Sequence, residues 1–254
     1  MKILRFLVAL VFFSGSLLAG TIDPNTKDEE YLDYATGFPF IGQFMGISSD
    51  NNPISGSVVA YKDDIILTAA HVIENSHNSL VHINNKIIKI KKHIVHEKYH
   101  TNVYGYFDIA VGLLDNSIDL KFYPELYENK DEISKICSLS GFGKSGNFKT
   151  GAVFFDNKQR AGSNKIDYID RGLLVCTPSG HNKTALEFLI ASGDSGGGLF
   201  IGNRLAGIHS CVMAVGKLSN SEYGSESGHT RISDHVTWIR DNINLLRAEA
   251  NEKK

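Results

Sequence analysis

The sequence predicts an all-β protein, a sandwich or barrel of short strands, that ends in one helix. Two series of short apolar runs broken by Gly, Asn and Asp predict the strands, because runs of this length and spacing are typical of such folds. The first series is FIGQFMGI, GSVVAY, IILTAAH, SLVHI, KIIKIKKHIV and DIAVGLL; the second is ISKICSLSGFG, GAVFF, GLLVC, GGGLFI and RLAGIHSCVM. The helix is predicted by apolar residues at helical spacing after a cap at Ser233 or Asp234, namely Val236, Ile239, Ile243 and Leu246.

Length and composition bound the functions that the chain can have. It has 254 residues, of which 42% are hydrophobic, and a formal net charge of −2. A chain of this size can bury one or two ordinary cores. Its nearly neutral charge gives no bulk attraction to polyanions, so nucleic acid is not an expected partner.

The first residues have the layout of a secretory signal peptide. Lys2 and Arg5 precede an apolar run that continues to Leu18 and ends in small residues, so residues 1–19 are predicted to be removed by a cut near Ala19. The run is shorter than the roughly 20 apolar residues that a membrane span needs. We therefore expect a secreted or periplasmic protein with no membrane anchor after signal removal. Residues 20–37 are polar and acidic and predict an irregular lead-in.

Cysteines and histidines predict neither a disulfide framework nor a metal site. The three cysteines are widely spaced and allow at most one bridge. No Cys/His spacing suggests zinc. The segment KKHIVHEKYH contains three histidines, but a strand and turn do not place them on one face, so no metal or other cofactor is predicted. The cysteines are Cys137, Cys176 and Cys211, and the histidines are His93, His96 and His100.

Three segments in order along the chain contain the residues of a nucleophilic site. LTAAH ends at His71, YFDIAVGLL contains Asp108, and GDSGGG contains Ser195. A serine hydroxyl needs an adjacent base at neutral pH, and the base needs a third group that orients it and stabilises its charged form. The N–H groups of Gly193 and Ser195 could stabilise an oxyanion during acyl transfer. Alone, each residue is more often structural; together they predict a catalytic triad.

These segments resemble the trypsin-like, chymotrypsin-fold serine proteases. The similarity covers nearly the whole mature chain through LTAAH, IVHEKY, DIAV, SGFG, GDSGG, LAGIHS and GHTRIS. It implies two six-stranded antiparallel β-barrels within a domain at 38–247: an N-terminal barrel at about 38–125, a C-terminal barrel at about 126–232, and a helix at 233–247. His71 and Asp108 would lie on the first barrel and Ser195 on the second. Val72 stands where the family usually has a cysteine, which favours free cysteines and a bacterial member.

The resemblance implies a monomeric serine endopeptidase that acts on proteins or peptides through an acyl-enzyme. The alternative is a catalytically silent binding protein on the same fold. By the same match, Ser210 would hydrogen-bond toward Asp108. Asp194 would need a cationic partner, which in the family is a new apolar N-terminus. The family's spacing would place the activation cut near Lys27, but the charged, acidic terminus made there would fit an apolar pocket poorly. We therefore expect that no propeptide is removed, and that signal cleavage or an internal donor supplies the partner of Asp194.

The residues that match the family's primary specificity pocket predict an apolar preference. Leu189 lies at the floor, where an aspartate would select Lys or Arg, and Val212 should narrow the entrance. A basic side chain would be buried unpaired in this pocket. His209 occupies the place of a carboxylate-binding histidine in glutamyl endopeptidases, so acidic selection is the alternative. The matched substrate-binding residues are Leu189, Ile190, His209, Ser210, Cys211, Val212 and, on the neighbouring strand, Ser227, with His229 nearby.

Overall fold

The computed structural model describes residues 20–100, 105, 107–179, 183–214 and 221–252. The predicted signal segment at 1–19 lies outside the described residues. Within these ranges, no helix has both the length and the apolar character that crossing a membrane requires.

Within the described ranges the chain is built mainly of strands, with three α-helices. A 3₁₀-helix at Ile232–Asp234 precedes the last of them. The elements are β1 Gly20–Ile22, α1 Asp28–Ala35, β2 Ile41–Ser48, β3 Pro53–Lys62, β4 Ile65–Thr68, α2 Ala70–Ile73, β5 Ser76–Ile83, β6 Lys86–Val95, β7 Ala110–Leu114, β8 Glu125–Leu126, β9 Ile136–Gly141, β10 Ser145–Asn147, β11 Gly151–Phe154, β12 Arg160–Asp170, β13 Leu173–Cys176, β14 Phe188–Leu189, β15 Gly198–Ile201, β16 Arg204–Ala214, β17 Ser225–Arg231 and α3 Val236–Asn251.

Two closed six-stranded antiparallel barrels form the fold, as the resemblance implies. The first closes in the order β2-β3-β4-β7-β6-β5, and the second in the order β15-β9-β12-β13-β17-β16. The short strand β8 pairs in parallel with β16 beside the second ring. Alternating side chains of each barrel point inward, so apolar residues that share one face, such as Val58 and Ile66, fill the first interior, and Leu139 and Leu199 fill the second.

The C-terminal helix docks on the first barrel, against β6 and β7. Ile239, Ile243 and Leu246 are buried at helical spacing, and each contributes about 2 kcal/mol of apolar burial. The helix differs from the predicted span of 233–247. Its N-cap residue is His235, because Ser233 and Asp234 belong to the preceding 3₁₀ turn, and it continues to Asn251.

The N-terminal segment corrects the prediction of an irregular lead-in. Strand β1 pairs with β10 and β14 next to the second barrel, and α1 packs on β12. Tyr31 of α1 is fully buried, and its hydroxyl donates to the carbonyl of Glu187. Asp28 accepts two hydrogen bonds from the buried Arg160 guanidinium, at 2.6 and 2.8 Å. These contacts anchor a segment whose polar sequence alone gives no sign of burial.

Candidate active site

His71 and Asp108 are joined by two hydrogen bonds. His71 Nδ1 lies 2.8 Å from Asp108 Oδ2, and the backbone N–H of His71 donates to Asp108 Oδ1 at 3.0 Å. His71 lies in the short helix α2, which directly follows β4, and Asp108 lies just before β7, the strand that pairs with β4. The His71 side chain remains 36% exposed, so its other ring nitrogen can face a ligand.

Asp108 is held ionised by its partners although it is buried. Burial alone would raise its pKa, but hydrogen bonds and charge from His71, together with a hydrogen bond from Ser210, hold the pKa below its ordinary value. The Ser210 hydroxyl donates to Asp108 Oδ2 at 2.6 Å, as the family match implies. The Thr230 hydroxyl donates to the Asp108 backbone carbonyl at 2.9 Å. Both barrels therefore hold this carboxylate.

The glycines around Ser195 allow a turn that a side chain would prevent. Gly193 and Gly196 have φ values of 98° and 86°, in the left-handed region that favours glycine. A Cβ on Gly196 would lie 2.1 Å from Thr68 Oγ1 and 2.2 Å from the Ser57 carbonyl oxygen. The turn therefore fits tightly against the first barrel, which places the half-buried Ser195 at the boundary between the barrels.

The Ser195 backbone packs close to Val72, the residue that follows His71. The Ser195 carbonyl oxygen is 3.1 Å from the point that a Cβ on Gly56 would occupy, and Val72 Cγ1 is 2.9 Å from the same point. Val72, the residue after His71, thus packs directly against Gly56. By the family match, Val72 stands where a disulfide-forming cysteine is usual. No hydrogen bond within the described part of the chain joins the Ser195 hydroxyl to His71, whose bonds run to Asp108. Such contacts commonly tighten only when substrate binds.

Asp194 is fully buried and accepts two backbone hydrogen bonds. Gly143 N–H donates to one carboxylate oxygen at 2.7 Å and Ala191 N–H to the other at 2.8 Å. A Cβ on Gly143 would lie 2.4 Å from Asp194 Oδ2, so the carboxylate needs glycine there. Burial raises the pKa of Asp194 to about 7, although the Ala191 and Gly143 hydrogen bonds and the charge of Arg160 act in the opposite direction. An ionised Asp194 is therefore costly unless a cation pairs with it directly.

The N-terminal strand β1 begins against the loop whose Gly143 holds this carboxylate. The Gly20 N–H donates to the carbonyl of Lys144 at 2.7 Å, and Lys144 is the neighbour of Gly143. The Ser145 hydroxyl, which has no partner among the described residues, lies opposite Gly20 in the parallel pair. Lys27, which the family spacing reaches, is instead the exposed residue before α1. The segment that contacts the loop holding Asp194 is therefore 20–22.

The residues of the predicted pocket fall on β14, β16 and β17. Within β16 and β17, Cys211 pairs with Gly228 and Val212 with Ser227. Ile190 belongs to the apolar cluster against which Val212 packs, and Leu189 is fully buried while pairing with Thr21 of β1. The structure thus brings most of the predicted pocket residues to one region, and Leu189 lies against the N-terminal strand.

His209 and His229 form a buried pair behind these residues. Their Nδ1 atoms are 2.8 Å apart, and His229 Nε2 lies 2.9 Å from the Ser227 hydroxyl. Burial lowers the pKa of His229 to about 3 and that of His209 well below its ordinary value, so both rings are neutral. His209 Cδ2 lies 2.9 Å from the point that a Gly197 Cβ would take. The Cδ2–Nε2 edge of His209 thus faces Gly197 and the Ser140 backbone.

The three histidines of the KKHIVHEKYH segment and the three cysteines lie in packing or surface positions outside the candidate site. His96 stacks on Trp238 with ring centroids 4.6 Å apart, His93 is half-buried on β6, and His100 is exposed. The sulfur atoms of Cys137 and Cys176 are 3.8 Å apart in the second barrel, and all three cysteines are free thiols. Burial, followed by the charge of Asp108, raises the pKa of Cys211 to about 11.

Sequence reasoning missed three residues that hold the site. Ser57 hydrogen-bonds to both Gly193 and Ser195, Thr230 holds the Asp108 backbone, and Arg160 anchors the N-terminal segment. Neither Ser57 nor Arg160 stands in a distinctive motif. The run GSVVAY predicts only a buried strand. Thr230 could have been found from its position in GHTRIS, a segment that resembles the family but to which no role was assigned from the sequence alone.

Comparison with known proteins agrees with the fold. The family model described as Trypsin matches residues 33–239. A search of curated proteins finds no match. HL collagenase matches with a TM-score of 0.67 and 17% identity, over 82% of this chain and 94% of that one. Neuropsin, a serine protease of mouse brain, gives 0.64 and 21%, over 81% and 95%. A structure described as GrC gives 0.63 and 16%, over 82% and 95%. At these identities, the structural likeness shows the fold.

Proposed function

Because this chain belongs to the trypsin family of serine endopeptidases, we propose that it cleaves peptide bonds through Ser195, His71 and Asp108. The observation that carries the proposal is the 2.8 Å contact between His71 Nδ1 and the buried Asp108, in a cleft where the Ser195 turn packs on the first barrel. The expected substrate is a protein or peptide. Nothing in the site's chemistry calls for a cofactor.

The proposed reaction begins with attack of Ser195 Oγ on the scissile carbonyl carbon. His71 Nε2 takes the hydroxyl proton, and ionised Asp108 accepts the Nδ1–H bond and stabilises the imidazolium. The Gly193 and Ser195 N–H groups stabilise the oxyanion. His71 then protonates the departing amine, which leaves an acyl-enzyme. Water, deprotonated by His71, attacks the acyl carbon, and the acid is released as Ser195 regains its proton.

Substitution of each triad residue tests this assignment. Ser195→Ala and His71→Ala should lower kcat by several orders of magnitude, and Asp108→Asn should also be severe, because the three act as a unit. The variants should keep their unfolding temperatures within a few degrees of the parent, which thermal denaturation would check. Normal peptidase turnover by Ser195→Ala would reject the assignment.

For specificity, we propose a small or medium apolar residue before the scissile bond. Leu189 and Ile190 are buried and apolar, and Val212 lies at the strand position that should narrow the entrance. A carboxylate would meet neutral His209, whose Cδ2–Nε2 edge faces Gly197 and the Ser140 backbone. The buried histidine pair is therefore better explained as a structural element than as a carboxylate site.

A matched peptide series tests the preference. Peptides that differ only in having Ala, Val, Leu, Phe, Glu or Lys before the cut should give the highest kcat/KM with an apolar residue of small or medium size. Highest turnover with Glu that disappears in His209→Ala would establish acidic selection instead. Highest turnover with Lys would contradict both assignments, because no carboxylate is present among the matched pocket residues.

We also propose that the enzyme is exported from a bacterial cell and acts as a monomer. The Lys2 and Arg5 layout supports export, and the free cysteines support a bacterial member. N-terminal sequencing of protein recovered outside the producing cytoplasm, together with its mass in solution by light scattering, tests both points. A mature N-terminus near Gly20 and a mass of one chain are expected. An uncleaved chain or a stable dimer would contradict them.

A further inference from the structure

Ser57, on strand β3 of the first barrel, makes hydrogen bonds that cross the boundary between the two barrels. It is fully buried. Its N–H donates to the Ser195 carbonyl at 2.8 Å, and its hydroxyl donates to the Gly193 carbonyl at 3.0 Å. The same hydroxyl accepts from Phe142 N–H at 2.9 Å. One residue thus contacts both residues whose N–H groups would hold the oxyanion, and the loop that packs against them.

The Ser57 hydroxyl holds the carbonyl side of the peptide between Gly193 and Asp194, where the peptide has little other restraint. Gly193 has a φ of 98° and no side chain, so few contacts of its own oppose rotation of its flanking peptides. On the opposite side, the turn is closed by the Asp194 N–H, which donates to the Ala191 carbonyl at 2.9 Å. Without the Ser57 hydroxyl, the Gly193 carbonyl and the Phe142 N–H would lose a shared buried partner. Both groups would then rotate toward any replacement partner, because leaving a buried polar group unpaired is unfavourable.

We infer that Ser57 is a positioning residue for the oxyanion site: its hydroxyl fixes the Gly193 carbonyl and thereby the direction of the Gly193 and Ser195 N–H groups. This inference rests on the proposed function. Ser57 acts through Gly193 and has no contact with the reacting atoms. Oxyanion donors stabilise the transition state more than the bound substrate, so misdirecting them lowers kcat and leaves KM nearly unchanged.

Ser57→Ala tests the inference against a matched control. Ser140→Ala removes another fully buried serine hydroxyl that donates to a backbone carbonyl, that of Arg160 at 3.0 Å. Removing an oxyanion donor outright costs about 10²–10³ in kcat, so misdirecting one should cost about tenfold or more. Ser57→Ala should show this fall at unchanged KM, whereas Ser140→Ala should lower only the unfolding temperature. Ser57→Thr, which keeps a hydroxyl, should recover most of the kcat lost in Ser57→Ala.

A spectroscopic measurement separates positioning from general loss of structure. A peptide trifluoromethyl ketone forms a hemiketal with the nucleophilic serine, and its oxyanion occupies the same site as that of the transition state. The pKa of this hemiketal, followed by fluorine NMR, should rise in Ser57→Ala and stay at the parent value in Ser140→Ala, because only the first variant loses oxyanion stabilisation. If Ser57→Ala does not fold, Ser57→Cys fills the same space with a weaker donor and should change kcat and the hemiketal pKa in the same direction.

The outcomes distinguish this inference from the proposed function. If the parent enzyme is active and loses turnover in Ser195→Ala, but Ser57→Ala matches the parent in kcat and hemiketal pKa, Ser57 is only structural. Equal losses of kcat in Ser57→Ala and Ser140→Ala would also overturn the inference. If Ser195→Ala itself retains normal turnover, the proposed function fails first.

Discussion

The burial of Asp194 predicts a pH dependence of stability that depends on what lies beside its carboxylate. Burial raises the pKa of Asp194 from 3.8 to about 7. Because the folded protein binds this proton more tightly than the unfolded chain, the stabilisation is full below pH 3.8 and is lost as pH rises through about 7. At about 1.4 kcal/mol for each pH unit, the interval amounts to about 4 kcal/mol in a chain whose α-amino group does not pair with Asp194.

Urea unfolding of a chain that retains the residues before Gly20 measures this effect. Between pH 4 and pH 8, Asp194→Asn should gain about 4 kcal/mol of unfolding free energy relative to the parent. An amide can replace only one of the two carboxylate acceptors, but that loss is present at both pH values and cancels. In a chain that begins at Gly20, the new α-amino group beside Lys144 should pair with Asp194 and remove most of the pH dependence. The reasoning would be refuted if the difference in unfolding free energy between the parent and Asp194→Asn did not change with pH in the longer chain. It would also be refuted if this difference depended on pH in the same way in both chains.

Two further predictions concern the N-terminal segment. Asp28→Ala leaves the buried Arg160 guanidinium without one of its carboxylates and should lower the unfolding free energy by about 3 kcal/mol. Asp33→Ala, which changes an exposed residue of the same helix, should alter the unfolding free energy little. Equal effects of the two substitutions in urea unfolding would reject the anchoring role. Protein expressed from Gly20 should cleave peptides without added protease, as an activity assay on the purified chain would report; strict dependence on a later cut would identify the segment as a propeptide.

Much of the fold and of the candidate site could be predicted from the sequence, because those parts depend on local patterns. The strand runs, the helical spacing of Ile239 and Ile243, and the motif order around His71 all follow from residues close together in the chain. The strand pattern alone predicted a sandwich or barrel, and the family resemblance carried by the motifs then implied two barrels and the contact between His71 and Asp108.

The remaining features depend on long-range contacts that leave little mark on the local sequence. Strand β1 has only three residues and its partners lie more than a hundred positions away, so its pairing gives no periodic signal. Arg160 is buried because Asp28 and Asp156 neutralise it, although arginine is usually exposed. The hydrogen bonds of Ser57 likewise appear only once the two barrels are placed side by side.

Labelling of the purified chain with a fluorophosphonate probe tests the central claim most directly. Such probes react with a serine whose hydroxyl is activated by a neighbouring base, so the parent should take up one probe per chain, located on Ser195 by peptide mass spectrometry. The His71→Ala variant, folded but without the base, should remain unlabelled. If the native parent stays unmodified under conditions in which a control serine protease reacts fully, the chain is a catalytically silent binding protein on the trypsin fold.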